Sequence, residues 1–232
     1  MADRCLLYYI TDRSQFRGSE RDRRGALLAK IAEGASAGVD YIQLRERDLS
    51  ARELETLARD TLAAMRDSAS LRTENRELRT GSELRTRVLV NSRTDVALAA
   101  GADGVHLRAD DITPDEVRHV LQASAHRPPA SDHLLVVASC HSNEEVKRAE
   151  SEGADFAVFA PVFGKSSAPG IQPTGLAALR NACQAKIPVF ALGGVTLENA
   201  AACLKAGAAG VAGIRLFQEN RIEDVVRALR AL

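Results

Sequence analysis

The chain carries no excess of charge of either sign, since Lys plus Arg and Asp plus Glu each number 31. A balanced chain has no broad attraction for nucleic acid or for an anionic membrane, so we expect neither as a partner. Arg, Glu or Gly interrupts every apolar run before it reaches the roughly 18 residues that a membrane helix needs. The sequence therefore predicts a protein that does not cross a membrane.

Cysteine is scarce, and its spacing forms no motif. Cys5, Cys140, Cys183 and Cys203 show neither a CxxC pair nor the spacing of metal ligands, and no long apolar signal segment opens the chain. We therefore expect a cytoplasmic location. With 232 residues, 45% of them hydrophobic and 27% charged, the chain can bury one large core, which predicts one domain over residues 1–232.

A weak phrase recurs four times along the chain. In each copy a glycine ends a helix and an apolar strand follows. The copies are AGVDYIQL, AGADGVHL, EGADFAVF and AGAAGVAGI, starting at residues 37, 100, 152 and 206. Four further apolar runs alternate with them: LLYYI, VLVN, LLVVAS and PVFAL. Eight strands separated by helical segments predict the α/β class, as a closed parallel (β/α)8 TIM barrel, with an open doubly wound sheet as the alternative.

Local signals refine this pattern. Ser50 and Glu53 have the spacing of a capping box at the start of the second helix. Two polar stretches, near residues 71–87 and 124–133, interrupt the alternation and are expected to be insertions on the surface. The first is not expected to carry chemistry, and the second is expected to connect to the fifth strand.

The second strand ends in a polar segment. Because side chains of a strand alternate between its faces, Gln43, Arg45 and Arg47 are predicted on one side, and Ile42 and Leu44 on the other. The apolar pair should face the helices, which leaves Gln43 and Arg45 in the mouth of the barrel. A guanidinium there needs an anion or a carboxylate, so Arg45 either binds an anionic ligand or forms a structural ion pair with an acidic neighbour.

Three other strand ends each allow two interpretations. Asn91 and Ser92 can complete a turn or contact a ligand. Asp111 can bind a magnesium-bound phosphate or cap the following helix. His141 has the side chain for acid-base chemistry, although a single histidine is commonly structural.

Glycines mark the ends of the last two strands. Gly193, Gly194 and Gly213 stand where many barrels bind phosphate through backbone N–H groups, and Arg215 can add a charged hydrogen bond. Close packing of the backbone is the alternative reason for glycine at these positions.

Five ordered motifs resemble thiamine phosphate synthase and the related thiazole tautomerase over nearly the whole chain, apart from the two polar stretches. They are ITDR, QLRER, VNSRTDVALAAGADGVHL, SCHSNEEVKRAESEGADFAVFAPVF and ALGGVTLENAAACLKAGAAGVAGI. The resemblance implies the same barrel. It also implies coupling of a pyrimidine methyl diphosphate to a thiazole phosphate, with release of pyrophosphate and help from Mg²⁺.

The resemblance assigns roles by position. Catalytic roles are expected for Arg45, His141 and Lys165, and magnesium binding for Asp111. Substrate binding is expected for the following residues: Gln43, Arg47, Asn91, Ser92, Ser139, Ser166, Ser167, Gly193, Gly194, Gly213 and Arg215. Of these, Ser139 falls on the pyrimidine side, and the last four hold the thiazole phosphate.

The chain departs from the synthase pattern at several positions. Ser92 stands where the synthase has a second metal carboxylate, and Arg47 replaces a lysine. Lys165, Ser166 and Ser167 replace a TxTK loop, while Arg108 and Ala109 replace a glycine and a glutamine. The alternatives are therefore a thiazole tautomerase in which His141 moves a proton, a non-catalytic thiazole or thiamine phosphate-binding barrel, and an unrelated phosphosugar isomerase. We favour the synthase because its cationic mouth is retained, and we leave a homo-oligomer open.

Overall fold

Eight parallel strands close into a barrel in chain order, β1 through β8, with β8 pairing back to β1. The computed structural model describes residues 4–73, 86–123, 133–164 and 172–232. The strands are β1 Leu6–Ile10, β2 Tyr41–Leu44, β3 Arg87–Asn91, β4 Gly104–Leu107, β5 Leu135–Cys140, β6 Phe156–Phe159, β7 Val189–Ala191 and β8 Gly210–Gly213. The predicted closed barrel is confirmed, and the open sheet is excluded.

Helices alternate with these strands over the described ranges. They are α1 Glu20–Ala37, α2 Ala51–Thr73, α3 Thr94–Ala100, α4 Pro114–Ala123, α5 Asn143–Ser151, α6 Gly175–Ala182, α7 Ala200–Lys205, α8 Arg215–Gln218 and α9 Ile222–Arg230. The capping box at the start of α2 is present, since Ser50 and Glu53 exchange hydrogen bonds. Most of the two polar stretches lies outside the described residues. No described helix combines the length and the apolar character that a membrane span requires.

The recurring phrase forms the four predicted helix-to-strand connections. Its glycines, Gly38, Gly101, Gly153 and Gly207, all have positive φ angles, of 89°, 72°, 82° and 104°. This left-handed conformation ends each helix and frees the chain to enter β2, β4, β6 or β8.

Three of the four connections place an aspartate just before the strand. Asp40 accepts a hydrogen bond from the Leu7 backbone N–H at 2.7 Å. The two equivalent bonds are those from the N–H groups of Val88 to Asp103, 2.8 Å, and of Val136 to Asp155, 2.6 Å. The fourth connection has Ala209 at the equivalent position, which offers no carboxylate, and its backbone N–H bonds to the Val189 carbonyl oxygen of the preceding strand at 2.9 Å. Each carboxylate thus joins the start of one strand to the strand before it.

The barrel separates two apolar cores. Side chains inside the barrel include four rings, those of Tyr8, Tyr41, Phe156 and Phe190, and the last two have centroids 4.8 Å apart. Ile42 and Leu44 lie in the outer core between strands and helices, as the alternation in β2 predicts. The aromatic cluster fills the barrel beneath the carboxyl ends of the strands.

Candidate active site

A polar layer lies above the aromatic cluster on strands β2 to β5. Gln43 is 1% exposed, and its Nε2 donates to Oδ1 of Asn91 at 2.9 Å. The Asn91 Nδ2 donates in turn to the Ser92 hydroxyl at 2.9 Å. Oε1 of Gln43 is buried and has no hydrogen-bond partner among the described residues. Because an unpaired buried acceptor is costly, this oxygen is suited to an N–H donor on a ligand.

Ser92 has a turn conformation as well as a position beside Asn91. Its φ angle is 63°, which is uncommon for a residue other than glycine, and its N–H donates to the His106 carbonyl at 2.9 Å. The turn interpretation of the Asn91–Ser92 pair is therefore confirmed, and contact with a ligand stays a prediction.

A second polar connection joins three strands inside the barrel. The Tyr8 hydroxyl lies 2.7 Å from Nδ1 of His106, and Nε2 of the same imidazole lies 2.8 Å from the Ser139 hydroxyl. His106 is 2% exposed, and burial lowers the pKa of its imidazole to about 3. The sequence predicts Ser139 at the site, whereas it assigns no role to Tyr8 or His106. Alternation along β4 does place His106 on the inner face, and this was the available signal.

The segment after β2 is held by a buried ionic network. Glu46 is 6% exposed and accepts from the Thr11 hydroxyl at 2.6 Å, from the Arg13 N–H at 3.0 Å and from the Arg13 guanidinium at 3.1 Å. Arg45 is half-buried, and its guanidinium forms no ion pair with the described residues. The acidic neighbour Glu46 therefore pairs with Arg13, and binding of an anionic ligand by Arg45 stays a prediction.

Alternation does not extend to Arg47. Strand β2 ends at Leu44, so Arg45 and Arg47 lie beyond it, and Arg47 is exposed. The period of two applies only within the extended segment, so alternation does not determine where either arginine points, and the place of Arg45 in the mouth stays a prediction. Both still follow the carboxyl end of β2.

Asp111 stabilises the turn that follows β4. One carboxylate oxygen accepts from the Arg108 backbone N–H at 2.7 Å, and the other lies 3.4 Å from the Arg108 guanidinium. The cap of α4 is Thr113 instead, which exchanges hydrogen bonds with Glu116. The proposed helix-cap role of Asp111 is therefore wrong, although its carboxylate does close a turn.

The described residues contain no group of three or more His, Cys, Asp or Glu side chains able to hold a metal ion. The family pattern gives two carboxylates to magnesium. Asp111 is present at one of these positions, and Ser92 occupies the other. Mg²⁺ is commonly held by one or two carboxylates together with substrate phosphates. The residues present thus fit magnesium only as an ion that arrives with a diphosphate.

His141 follows β5 with one side of its ring anchored. Nδ1 lies 2.7 Å from the Ala160 carbonyl oxygen, which can only accept, so Nδ1 carries the proton. The ring is exposed, and its Nε2 has no partner among the described residues. The adjacent Cys140 is buried, and burial raises the pKa of its thiol to about 12, so the thiol keeps its proton near neutral pH.

Gly193 and Gly194 allow the loops after β6 and β7 to pack closely. Their φ angles are 96° and 64°, and a Cβ atom on Gly193 would lie 2.7 Å from Cα of Pro161. A Cβ on Gly194 would lie 2.7 Å from the Gly164 carbonyl oxygen. Packing alone therefore requires both glycines, and their part in phosphate binding stays a prediction.

The remaining expected residues divide into two groups. Gly213 ends β8, where an added Cβ would lie 3.0 Å from Leu216, and Arg215 is an exposed residue that begins α8. Lys165, Ser166 and Ser167 lie outside the described residues.

The fold and the site together define a (β/α)8 barrel with a polar site at the carboxyl ends of its strands, where barrel enzymes carry their chemistry. A model of the thiamine monophosphate synthase family matches residues 7–217, and the chain belongs to that family. The sequence resemblance is thereby confirmed.

Similar proteins extend over the full length of the chain. The putative thiamine-phosphate synthase 2 of Aquifex aeolicus is 38% identical over 214 residues, which are 92% of this chain and 97% of that protein. The thiamine-phosphate synthase of Methanoculleus marisnigri is 36% identical over 227 residues, which are 97% of this chain and 93% of that protein. A solved structure of thiamine phosphate pyrophosphorylase from Pyrococcus furiosus has a TM-score of 0.74 at 26% identity, covering 99% of this chain and 96% of that one.

Proposed function

We propose that the protein is a thiamine phosphate synthase, which joins a pyrimidine methyl diphosphate to a thiazole phosphate and releases pyrophosphate. Family membership over residues 7–217 supports the reaction class. The observation that carries the assignment to this site is the open acceptor of Gln43, buried in the mouth beside Asn91. A pyrimidine that carries an amino group would offer an N–H donor to satisfy it.

The proposed reaction separates charge, and the site supplies groups for each part. The C–O bond to the diphosphate breaks, and its electron pair leaves with pyrophosphate. The thiazole nitrogen then donates its lone pair to the cationic methylene carbon, which forms the C–N bond. Arg45 and Arg47 follow β2 as cationic side chains suited to the growing negative charge on the leaving group. We assign Lys165 to the same task on the family pattern.

The thiazole phosphate is assigned to the ends of β7 and β8. Arg215 is exposed at the start of α8, and its guanidinium has no ion-pair partner among the described residues. Barrels frequently bind phosphate at these two strand ends. Gly193, Gly194 and Gly213 leave the backbone there without side chains, which supports close approach by a phosphate group.

Magnesium is assigned to the diphosphate rather than to a site formed by the protein alone. Asp111 is the candidate carboxylate ligand, although its two oxygens already face Arg108. When bound, the ion would reduce the charge on the departing pyrophosphate.

Product analysis tests the proposal. The purified protein is given thiazole phosphate with and without pyrimidine methyl diphosphate, each in Mg²⁺ and in EDTA. We expect thiamine phosphate and pyrophosphate in equal amounts, only with both substrates and only in Mg²⁺. Failure to form thiamine phosphate under all four conditions would reject a synthase and leave the tautomerase and a non-catalytic barrel that binds the phosphates.

The thiazole tautomerase remains the second candidate because of His141. Its exposed Nε2 is the free acid-base atom of a ring fixed through Nδ1. A tautomerase would isomerise the thiazole in EDTA without the pyrimidine, and a His141→Asn variant would lose that activity. Location in the cytoplasm and assembly into a homo-oligomer stay predictions, and the four free cysteines fit the former.

A further inference from the structure

A phenol, an imidazole and a hydroxyl form one continuous polar path from the barrel interior to its mouth. The Tyr8 side chain is fully buried among the apolar residues of the inner core, His106 lies next to it, and Ser139 is half-buried at the outer end. The two hydrogen bonds that join them measure 2.7 Å and 2.8 Å. These residues come from β1, β4 and β5, so only the closed barrel brings them together.

The imidazole is neutral under ordinary conditions, because burial lowers the pKa of His106 to about 3. A neutral imidazole has one N–H donor and one acceptor nitrogen, which leaves two arrangements of the path. Either Tyr8 donates to Nδ1 and Nε2 donates to Ser139, or both bonds run in the opposite direction.

The surroundings of Tyr8 distinguish the two arrangements. If Nδ1 carried the proton, the phenol would have to accept, and its own O–H would need another acceptor. None of the described residues accepts from this hydroxyl apart from His106. An unsatisfied buried donor is disfavoured, whereas the other arrangement satisfies every group except the outward-facing proton of Ser139.

We propose that Tyr8 is a positioning residue that acts through His106. Its hydroxyl holds the imidazole in the Nε2–H form, which donates to the Ser139 oxygen and leaves the Ser139 proton to be donated to the substrate. Ser139 therefore recognises a hydrogen-bond acceptor, either a ring nitrogen or a diphosphate oxygen. The use of this donor in catalysis rests on the proposed synthase function. The direction of the path, which is the assignment of donor and acceptor in its two hydrogen bonds, does not.

Nitrogen-15 NMR tests the direction of the path without any activity measurement. The chain has five histidines, so the signals of His106 are assigned as those that a His106→Gln variant loses. We expect a protonated Nε2 and an unprotonated Nδ1 in the wild-type protein. A protonated Nδ1 would overturn the inference.

The chain offers a matched pair of tyrosines for the functional test. Tyr9 is also fully buried, and its hydroxyl has no hydrogen-bond partner among the described residues. Tyr8→Phe should raise KM for the pyrimidine diphosphate roughly tenfold, the cost of one misdirected hydrogen bond, and should give a mixture of His106 tautomers. Tyr9→Phe should change neither. If the two variants behave alike in both measurements, the inference is wrong.

A double-mutant cycle with Ser139→Ala shows whether Tyr8 acts through this serine. Tyr8→Phe should have little further effect on KM once the serine hydroxyl is gone, whereas independent effects would contradict a shared path.

Binding measurements with pyrophosphate alone and with the pyrimidine methyl alcohol alone identify the acceptor that Ser139 recognises. Tyr8→Phe should weaken the binding of only one of these two ligands. If the wild-type protein makes no thiamine phosphate, the proposed function fails, and the tautomer still decides the direction of the path.

Discussion

Asn91 fixes the orientation of the Gln43 carboxamide across strands β2 and β3. Because the Asn91 Nδ2 donates to Ser92, its Oδ1 faces Gln43 and can only accept from the Gln43 Nε2. The Gln43 Oε1 is thereby the atom left for a ligand. Ser92 thus directs two amides, although it replaces the carboxylate of the family pattern.

Replacing Gln43 by methionine keeps the length of the side chain and removes both amide functions. We expect KM for the pyrimidine diphosphate to rise about tenfold or more, because the ligand loses an acceptor, while KM for the thiazole phosphate stays near the wild-type value. Steady-state kinetics with each substrate varied in turn measures both constants. The exposed Gln184→Met variant is the control, and an equal rise in both constants would contradict the assignment.

Two substitutions at the magnesium position should act in opposite directions. Ser92→Asp supplies the missing carboxylate at a backbone conformation that aspartate tolerates, so half-maximal activity should need less Mg²⁺. Asp111→Asn keeps an acceptor for the Arg108 N–H and loses the charge, so half-maximal activity of this variant should need more Mg²⁺. Activity is titrated with Mg²⁺ at fixed substrate. An unchanged requirement in Asp111→Asn would restrict this residue to its turn.

Three glycine-to-alanine substitutions separate backbone strain from steric overlap. Gly25 lies in α1 with open space around it, and alanine there should stabilise the protein by about 0.5 to 1 kcal/mol. Gly38 has a positive φ and open space, so alanine should cost about 1 to 2 kcal/mol. Gly193 combines a positive φ with overlap on Pro161 and should cost roughly 2 to 5 kcal/mol. Urea denaturation measures the free energy of unfolding of each variant and so ranks the three changes. Similar losses for the Gly38 and Gly193 variants would contradict close packing of the two loops.

Buried His106 should make stability depend on pH. Its folded pKa of about 3 lies below the unfolded value of about 6.5, although the Asp111 charge opposes the shift slightly. Between about pH 3 and about pH 6.5, His106 therefore binds a proton in the unfolded chain but not in the folded protein. The contribution of the neutral imidazole is complete above about pH 6.5 and is lost as the pH falls, at about 1.4 kcal/mol per unit. His106→Gln should flatten the decline of the free energy of unfolding, measured in urea from about pH 6.5 to about pH 4.5. Equal slopes of the free energy of unfolding against pH in the variant and the wild-type protein would count against a buried neutral histidine.

The fold could be predicted from local signals, whereas parts of the site could not. Glycine at the end of each of four helices and the apolar runs between them specify eight strands, and the inner position of Gln43 follows from alternation. No role could be predicted for Tyr8 or His106, because each stands within an apolar strand and their bond joins positions 98 residues apart. The pairing of Glu46 with Arg13 could not be predicted, because the chain leaves β2 at Leu44, after which no periodicity applies.

The aspartates before β2, β4 and β6 have a consequence at the opposite end of the barrel. Each accepts from the backbone N–H of the second residue of the preceding strand, and this bond helps to fix how far the two strands are offset along their length. That offset brings Asn91 level with His106, with which it pairs across β3 and β4. Asp103, at the amino-terminal end of β4, therefore helps to set the relative height of two polar side chains at the opposite end of the barrel.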